Sequence, residues 1–378
     1  MTFLQVTAAG VLLLAFAYLI VGWILSNRLY VGAFVVGARP KDLEVRVRSV
    51  DRDRIVLESP TPRQDIGHPG IMGLIWDDGY GRVGDVVAAD ATTITRAWIG
   101  PGTPPPCVGP LEGCPPVELD SFAYQRNPAD AGLDFETTTY RSPLGEMGAW
   151  LIPAGSGTRW AVHCHGWTAE RRELVRMLPA FHRSGVTSMV IDYRNDPGAP
   201  GDPTGRYRFG LTEWEDLEAA VALALERGAE DIVLSGCSTG GALVMGFLER
   251  SNLADRVAAV VLDAPNIVLA DTFRHATDLR RATPLMLELG MWIADLRWKI
   301  DWDTTNYVPR AERILHVPTL VFHGTSDRTV PISVSRQLAA RVPDLVRLVE
   351  TPAAGHVMSW NADPDTYERR LEQFLSDV

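Results

Sequence analysis

Hydrophobic residues are unevenly distributed along the chain, and the first cluster is an uncharged stretch from Val6 to Leu25. Its length suits a helix that crosses a bilayer once. Tyr18, Trp23 and Arg28 lie towards its end, where interfacial residues anchor such helices. A cleaved signal peptide and a buried core helix are the alternatives, but the stretch is long for a signal peptide and no Lys or Arg precedes it. We therefore predict a single-pass membrane anchor over residues 1–27.

Which side of the membrane carries the rest of the chain is left open by two opposing signals. Five basic residues follow the apolar stretch and none precedes it. The positive-inside rule then favours the cytoplasmic side for the rest of the chain, although long domains override it. These residues are Arg28, Arg39, Lys41, Arg46 and Arg48. Cys107 and Cys114 lie in a stretch rich in Pro and Gly. A disulfide between them would indicate an oxidising compartment, and two free thiols are the alternative.

Apolar and polar residues then alternate in short runs separated by Gly and Asp, which is typical of β-strands and tight turns. The runs are Leu43–Val50, Arg54–Glu58, Ile71–Trp76, Gly81–Ala88 and Thr93–Trp98. We expect residues 28–133 to form a β-rich accessory region without a catalytic centre.

From residue 134 the pattern changes to apolar strands that alternate with segments of helical periodicity. The predicted strands are Phe135–Tyr140, Met147–Ile152, Trp160–His163, Ser188–Asp192, Ile232–Leu234, Ala259–Leu262, Thr319–Phe322 and Leu345–Val349; the predicted helices are Glu170–Arg183, Trp214–Arg227, Ala242–Glu249, Ser333–Arg341 and Pro364–Leu375. Such alternation predicts an α/β fold over residues 134–378, with a doubly wound, mostly parallel sheet and helices on both faces. In these sheets the chemistry lies beyond the carboxyl ends of the strands.

Composition narrows the class of protein. The chain has 378 residues, of which 46% are apolar and 22% charged, as in globular proteins. Its net charge of −11 argues against a nucleic-acid partner, because phosphate binding requires a basic surface.

The strand ending near Leu234 is followed by Gly236-Cys237-Ser238-Thr239-Gly240, which fits the pattern G-x-S-x-G. In a tight strand-to-helix turn, the central Ser is held in a strained conformation that exposes its hydroxyl group. A plain glycine-rich turn is the alternative. The strand before the turn and the helix after it favour a nucleophile, Ser238.

A serine nucleophile needs a base and an anion that orients the base. Asp327 follows the strand Thr319–Phe322, and His356 follows the strand Leu345–Val349. The order Ser238, Asp327, His356 is the one this fold requires. Asp263 also ends a strand and is the rival acid, but the loop of Asp327 is favoured.

The segment His163-Cys164-His165-Gly166-Trp167 ends the first long parallel strand. A Gly here lets the next N–H turn towards the nucleophile, so we predict an oxyanion hole made of the backbone N–H groups of Trp167 and Thr239. We expect the two histidines to be held by hydrogen bonds, and not to bind metal, because alternate residues of a strand point to opposite faces. Cys164 and Cys237 are expected to be buried packing residues.

From residue 134 onward, the chain resembles the α/β-hydrolase family, and most of all its bacterial dienelactone-hydrolase-like and serine-aminopeptidase-like serine hydrolases. The resemblance is carried by HCHGW (163–167), IDYRNDPGAP (191–200), GCSTGG (236–241), VLDAP (261–265), FHGTSDRTVP (322–331) and AAGHVMSWN (353–361). It implies the fold, the triad of Ser238, Asp327 and His356, and no metal or organic cofactor. Many relatives have a bulky residue where this chain has Cys237, so the resemblance does not extend to a subfamily.

About fifty residues without strand character separate two of the predicted strands, and insertions at this place commonly form a cap over the nucleophile. We expect the cap at about 266–312, with its apolar helical stretch at Ala282–Ile300. Six apolar side chains of that stretch would roof the pocket: Leu285, Met286, Leu289, Met291, Trp292 and Ile293. Packing of these residues onto the core is the alternative.

We expect the reaction to be hydrolysis of a small-molecule or lipid-like carboxylic ester. A peptidase or thioesterase would use the same triad, and a catalytically inactive membrane-tethered scaffold is the alternative outside enzymes. The acyl and alcohol groups, the oligomeric state and the role of residues 28–133 are not determined by the sequence.

Overall fold

The computed structural model describes residues 3–37, 44–59, 67–76, 79–90, 92–100, 117–124, 126–155, 157–275 and 283–378. Cys107 and Cys114, and with them the disulfide prediction, lie outside the described residues.

The N-terminal apolar stretch forms one long helix, α1 (Phe3–Leu29), followed by a π-helical turn over Tyr30–Phe34. The segment Gly10–Phe34 is long and apolar enough to cross a membrane. Residues 30–37 lie outside the β-rich region, whose first strand begins at Glu44. Phe34 is buried, and its carbonyl accepts a hydrogen bond from the N–H of Tyr207 at 2.8 Å, so this segment packs on the C-terminal part of the chain.

The β-rich region is a closed six-stranded barrel with the strand order β1-β2-β5-β4-β3-β6. Its strands are β1 (Glu44–Val50), β2 (Arg54–Glu58), β3 (Met72–Trp76), β4 (Gly79–Ala89), β5 (Thr93–Gly100) and β6 (Val117–Asp120). Alternate residues point inwards, as the pattern predicted, and form an apolar core that includes Val45, Val47, Ile55, Leu57 and Leu74. Closing the sheet removes its free edges.

The second sheet has eight strands in the order β14-β13-β12-β11-β9-β10-β8-β7. They are β7 (Glu136–Ser142), β8 (Gly145–Ile152), β9 (Arg159–Cys164), β10 (Thr187–Ile191), β11 (Asp231–Cys237), β12 (Val257–Asp263), β13 (Thr319–Gly324) and β14 (Val346–Thr351). The hairpin β7–β8 is antiparallel, and the six strands β9 to β14 run parallel. The mostly parallel sheet is therefore confirmed.

Helices cover both faces of this sheet. They are α2 (Leu178–Arg183), α3 (Trp214–Glu226), α4 (Thr239–Arg250), α5 (Leu269–His275), α6 (Pro284–Trp298), α7 (Ala311–Ile314), α8 (Ser333–Arg341), α9 (Ser359–Ala362) and α10 (Pro364–Asp377). Val162 packs with α3 and α8 on one face, whereas its neighbour Ala161 packs with α2 and α10 on the other. The predicted helix Glu170–Arg183 starts as a 3-10 helix, Arg171–Met177, before α2.

The barrel is docked against the loop that carries His356. Met358 of that loop completes the apolar core of the barrel. The N–H of Ile71 donates to the carbonyl of Asn361 at 2.8 Å, and the side-chain amide of Asn361 donates to the carbonyl of Ser121 at 2.7 Å. The ring of His68 lies against Gly355, where an added Cβ would come within 2.8 Å of it. The accessory region therefore contacts the strand-end loops of the C-terminal part directly.

Candidate active site

Ser238 occupies the sharp turn between β11 and α4, and its backbone is strained, with φ 49° and ψ −115°. The glycines on either side allow the turn to close. A Cβ at Gly236 would lie 2.4 Å from the carbonyl oxygen of Gly240, and one at Gly240 would lie 2.2 Å from that of Cys164. Both positions therefore require glycine, and the turn directs the serine hydroxyl away from the sheet.

The structure brings Ser238, His356 and Asp327 into one chain of hydrogen bonds. Nε2 of His356 lies 2.9 Å from Oγ of Ser238, and Nδ1 lies 2.7 Å from Oδ2 of Asp327. The acid at Nδ1 places the proton there, so Nε2 is free to accept the serine proton. Burial opposes charge on the imidazole, but the attraction of Asp327 outweighs it and raises the pKa of His356 above its ordinary value.

Asp327 is itself held by several donors. Its Oδ1 accepts from the N–H groups of Thr329 and Val330 at 2.8 and 2.9 Å. Nε2 of His323, a fully buried residue of β13, lies 3.2 Å from Oδ2. Although burial favours the neutral acid, these partners and His356 hold the pKa of Asp327 well below its usual range. The carboxylate therefore stays ionised and fixed in orientation.

The rival acid, Asp263, makes no hydrogen bond or ion pair with the imidazole ring of His356. It ends β12, is buried, and its carbonyl accepts a hydrogen bond from the N–H of Ser238 at 2.9 Å. Burial raises the pKa of its carboxyl group to about 6, against the attraction of Arg176. Asp263 thus helps to hold the turn of the serine through its backbone.

The loop expected to form the oxyanion hole is held by a buried carboxylate. The N–H of Gly166 donates to Oε2 of Glu173 at 2.7 Å, and a Cβ at Gly166 would lie 3.2 Å from Cβ of Ser238. Trp167 is the next residue along this loop. Thr239 is the first residue of α4, where a helix has no carbonyl of its own to accept the N–H.

A wall of aromatic residues extends from this loop to the end of α1. The ring of Trp167 packs edge-on against Tyr207, and both belong to a cluster with Phe34, Phe273 and Met291. Among the six apolar side chains expected to roof the pocket, Met291 lies in this cluster. Leu285 and Trp292 are exposed, while Leu289 and Ile293 contact α1 at Gly22. The apolar wall is therefore built partly by the residues that follow α1.

The two histidines before the loop are held as expected. Nε2 of His163 lies 3.0 Å from Oγ of Ser188. His165 lies 2.9 Å from Asp196, and despite burial this carboxylate raises the pKa of His165 to about 9. His165, Asp192 and Asp196 offer ligand atoms within 4.8 Å of one another, which is the spacing of a possible metal site.

We interpret these three residues as an ion-pair network. The carboxylate of Asp192 pairs with Arg171 at 2.8 Å, Asp196 accepts from the N–H of Tyr193 at 2.7 Å, and protonated His165 supplies the remaining positive charge. A metal ion would have to displace these partners.

Cys164 and Cys237 are buried and unpaired with each other. Burial raises the pKa of both thiols. Since the thiolate is the reactive form, neither is suited to act as a nucleophile.

The fold is that of an α/β-type hydrolase, with strand-end loops meeting around the turn of the serine. The chain matches the family described as "Alpha/beta hydrolase family" over residues 161–370, and it belongs to that family. Residues 46–110, in the barrel region, match a domain of unknown function, DUF8805.

Similar proteins include the uncharacterized protein Rv2307c of Mycobacterium tuberculosis, 28% identical over 251 residues, which cover 61% of this chain and 75% of the relative. The uncharacterized protein YfhR of Salmonella typhi is 25% identical over 262 residues, covering 64% and 82%. Among solved structures, the esterase Pf2001 of Pyrococcus furiosus has a TM-score of 0.53 at 19% identity, over 67% of this chain and 94% of that one. Est1E from Butyrivibrio proteoclasticus, solved with ferulic acid, has a TM-score of 0.50 at 15% identity, over 64% and 98%. At these identities the solved structures show a shared fold.

Two residues of the site, Glu173 and His323, had no role assigned from the sequence. Each carries a weak signal: Glu173 shares one side of its segment with Met177 and Phe181 at helical spacing, and His323 ends an otherwise apolar strand. A polar residue among buried apolar ones must find a partner. The pattern therefore shows that a partner exists but does not identify it.

Proposed function

We propose that this protein is a serine hydrolase that cleaves carboxylic esters. The observation that carries the proposal is the hydrogen-bonded chain of Ser238, His356 and Asp327, mounted on a strained turn at the N-terminus of α4. A buried, ionised acid, a base with its Nδ1 occupied and a serine hydroxyl hydrogen-bonded to that base are the requirements of acyl transfer through a triad. The esterases among the structural neighbours are consistent with this reaction class.

In the proposed mechanism, Oγ of Ser238 attacks the ester carbonyl carbon while Nε2 of His356 takes the hydroxyl proton. The tetrahedral oxyanion is bound by the N–H groups of Thr239 and Trp167, which lie at a positive helix end and on the loop held by Glu173. Collapse of this intermediate breaks the bond to the alcohol, which leaves with the proton from Nε2. Water, deprotonated by the same nitrogen, then releases the acid and restores Ser238.

We further propose that α1 anchors the enzyme in a membrane. From Val11 to Phe16 the large apolar side chains of the helix are 62–70% exposed, whereas the residues buried against other parts of the protein, Gly22, Leu25 and Leu29 among them, lie towards its end. A helix that is apolar all round is stable in lipid or in a protein core, and the described residues place no core around this half. An apolar wall beside a membrane anchor favours a lipid-like ester as substrate.

The test is hydrolysis of p-nitrophenyl esters of increasing chain length by the full chain in detergent, compared with Ser238→Ala. We expect the substitution to lower kcat on the order of 10⁴- to 10⁶-fold. Ser376→Ala, which removes an exposed hydroxyl at the end of α10, is the matched control and should be as active as the wild type. A fluorophosphonate probe should label the wild type at Ser238.

Failure would take one of two forms. Turnover of peptides or thioesters but not of esters would keep the triad and replace the substrate class. If esters, peptides and thioesters all remain uncleaved and the probe leaves Ser238 unlabelled, the proposal of an enzyme is overturned. A catalytically inactive scaffold is then the remaining function.

A further inference from the structure

Helix α6 has an exposed face made of large apolar side chains. Leu285, Trp292 and Leu296 are 66%, 56% and 60% exposed. At about 100° of rotation per residue they fall within roughly 40° of one another, so they form one stripe along the helix. Contiguous apolar surface of this kind marks a binding site or a membrane contact.

The side of α6 next to this stripe is covered by α1. A Cβ at Gly22 would lie 2.8 Å from Leu289, and one at Gly290 would lie 2.9 Å from Cβ of Leu25, so the two helices touch through their glycines. Further along, the rings of Tyr30 and Trp298 stack with centroids 4.0 Å apart. Contacts advance in the same direction on both helices, which therefore run parallel. Close approach through small residues is typical of helices paired in a membrane.

The opposite border of the stripe is polar. Glu288 and Asp295 lie about 60° to 80° round the helix from Leu285, and Glu288 pairs with Arg274 at 2.6 Å. On one side, therefore, the stripe continues into the apolar surface of α1, where Trp23 and Ile24 are about half exposed. On the other side it ends at the carboxylates of Glu288 and Asp295.

We propose that α6 lies in the surface layer of a phospholipid bilayer beside α1, with Leu285, Trp292 and Leu296 in contact with lipid. The proposal rests on the proposed anchoring by α1. Leu285 precedes Gly290 by five residues, or about 7 Å along the axis, which brings it level with the apolar, exposed part of α1 before Gly22. A bilayer that surrounds this part of α1 therefore also reaches the stripe.

Charge at the other end of the two helices fits the same placement. Arg28 and Lys299 are exposed, and the guanidinium of Arg297 lies 3.5 Å from the ring of Trp23 while it donates to Ser26 and Asn27. Basic and aromatic residues at one level are typical of the headgroup region, where lipid phosphates are negative. A second copy of the chain would bury the stripe but would make no use of the basic residues Arg28, Arg297 and Lys299.

The consequence concerns the entrance to the site. The buried face of α6 carries Met291, which belongs to the cluster that reaches Trp167. With α6 in the bilayer surface, that apolar wall adjoins the lipid, and an ester substrate reaches Ser238 from the membrane.

The test uses the photo-crosslinking residue p-benzoylphenylalanine in the full chain, reconstituted in nanodiscs of phosphatidylcholine and phosphatidylglycerol. It is placed in turn at Trp292, at Ile20 of α1 as the positive control, and at Ile99 as the matched exposed apolar control on the barrel. We expect lipid adducts at Trp292 and Ile20, and none at Ile99. Lipid adducts at Ile20 with none at Trp292, or a crosslinked homodimer at Trp292, would overturn the proposal.

A second experiment, which measures hydrolysis, tests the membrane contact of α6 separately from the proposed reaction. The variant L285S/W292S/L296S should hydrolyse a soluble short-chain ester at the wild-type rate, but an ester embedded in vesicles several-fold more slowly than V87S/I99S, which alters two exposed apolar residues of the barrel. Equal rates of the two variants on the embedded ester would contradict the inference. Absence of lipid adducts at Ile20 would show that the anchor itself is wrong, and absence of soluble-ester turnover in the wild type would show that the proposed reaction is wrong.

Discussion

Gly355→Ala should slow the enzyme by pushing the His356 loop away from the barrel. The added Cβ would lie 2.8 Å from Cε1 of His68 and 3.1 Å from each of its ring nitrogens. Ordinary contact begins at 3.4 Å, so the shortfall is 3.4 − 2.8 = 0.6 Å. The backbone that carries the ring is held, because the buried Arg96 donates to the carbonyls of His68 and Gly70 at 2.9 and 2.8 Å.

If the ring of His68 keeps its rotamer, the displacement falls on Gly355 and its neighbour His356. Misplacing a catalytic group by about 1 Å costs roughly 10²-fold in rate, so a shift of this size should lower kcat about tenfold with a smaller change in KM. Removing the ring of His68 should relieve the clash, and this rescue tests the reasoning more sharply than the single variant does. His68→Ala alone should stay within about threefold of the wild type, and H68A/G355A should recover to the level of His68→Ala, a coupling of roughly 1.4 kcal/mol.

The assay is kcat and KM on one p-nitrophenyl ester for the wild type, the two single variants and the double variant. Gly73→Ala is the control, since its Cβ would meet its nearest neighbour at an ordinary 3.5 Å. If the double variant is as slow as Gly355→Ala, the ring of His68 is not the obstacle, and the reasoning that links the barrel to His356 is refuted.

Two further predictions follow from the electrostatics of the site. His356 must be neutral to act as the base and is charged below its pKa, so kcat/KM should rise with pH; because Asp327 raises this pKa, the midpoint of the acid limb should lie above the ordinary value of 6.5. A pH–rate profile with its midpoint at or below that value would contradict the assignment. Glu173→Ala should lower kcat about tenfold by releasing the N–H of Gly166, whereas Glu173→Gln keeps an acceptor oxygen and should retain most of the activity. Equal kcat values for these two variants would show that the hydrogen bond does not position the loop.

Local features of this chain were determined by the sequence alone. The G-x-S-x-G pattern at Ser238 records the need for glycine on both sides: a Cβ at Gly236 would clash within the same strand–turn–helix unit, and one at Gly240 would clash with the backbone of Cys164 in β9. The alternation of apolar strands and helical segments likewise predicts a parallel sheet, since a buried strand and an amphipathic helix each have their own period. The places of Asp327 and His356 at strand ends followed from the same reasoning.

Choices between distant residues were made only by the tertiary structure. Asp263 and Asp327 both end strands, and the packing of β12 beside β13 decides that Asp327 reaches the imidazole while Asp263 holds the backbone of Ser238. Glu173 accepts a hydrogen bond from the N–H of Gly166, and His323 contacts Asp327 in the loop that follows β13. No local pattern of apolar and polar residues specifies either partner.

The same reason explains the two docking surfaces that sequence reasoning missed. The contact of His68 with Gly355 and that of Gly22 with Leu289 each join residues more than 260 positions apart. Periodicity shows that an element has an apolar face to bury, but not which surface will cover it. Which surfaces meet depends on shape complementarity across the whole fold, because side chains pack at crystal-like density and a single methyl group is enough to exclude a partner.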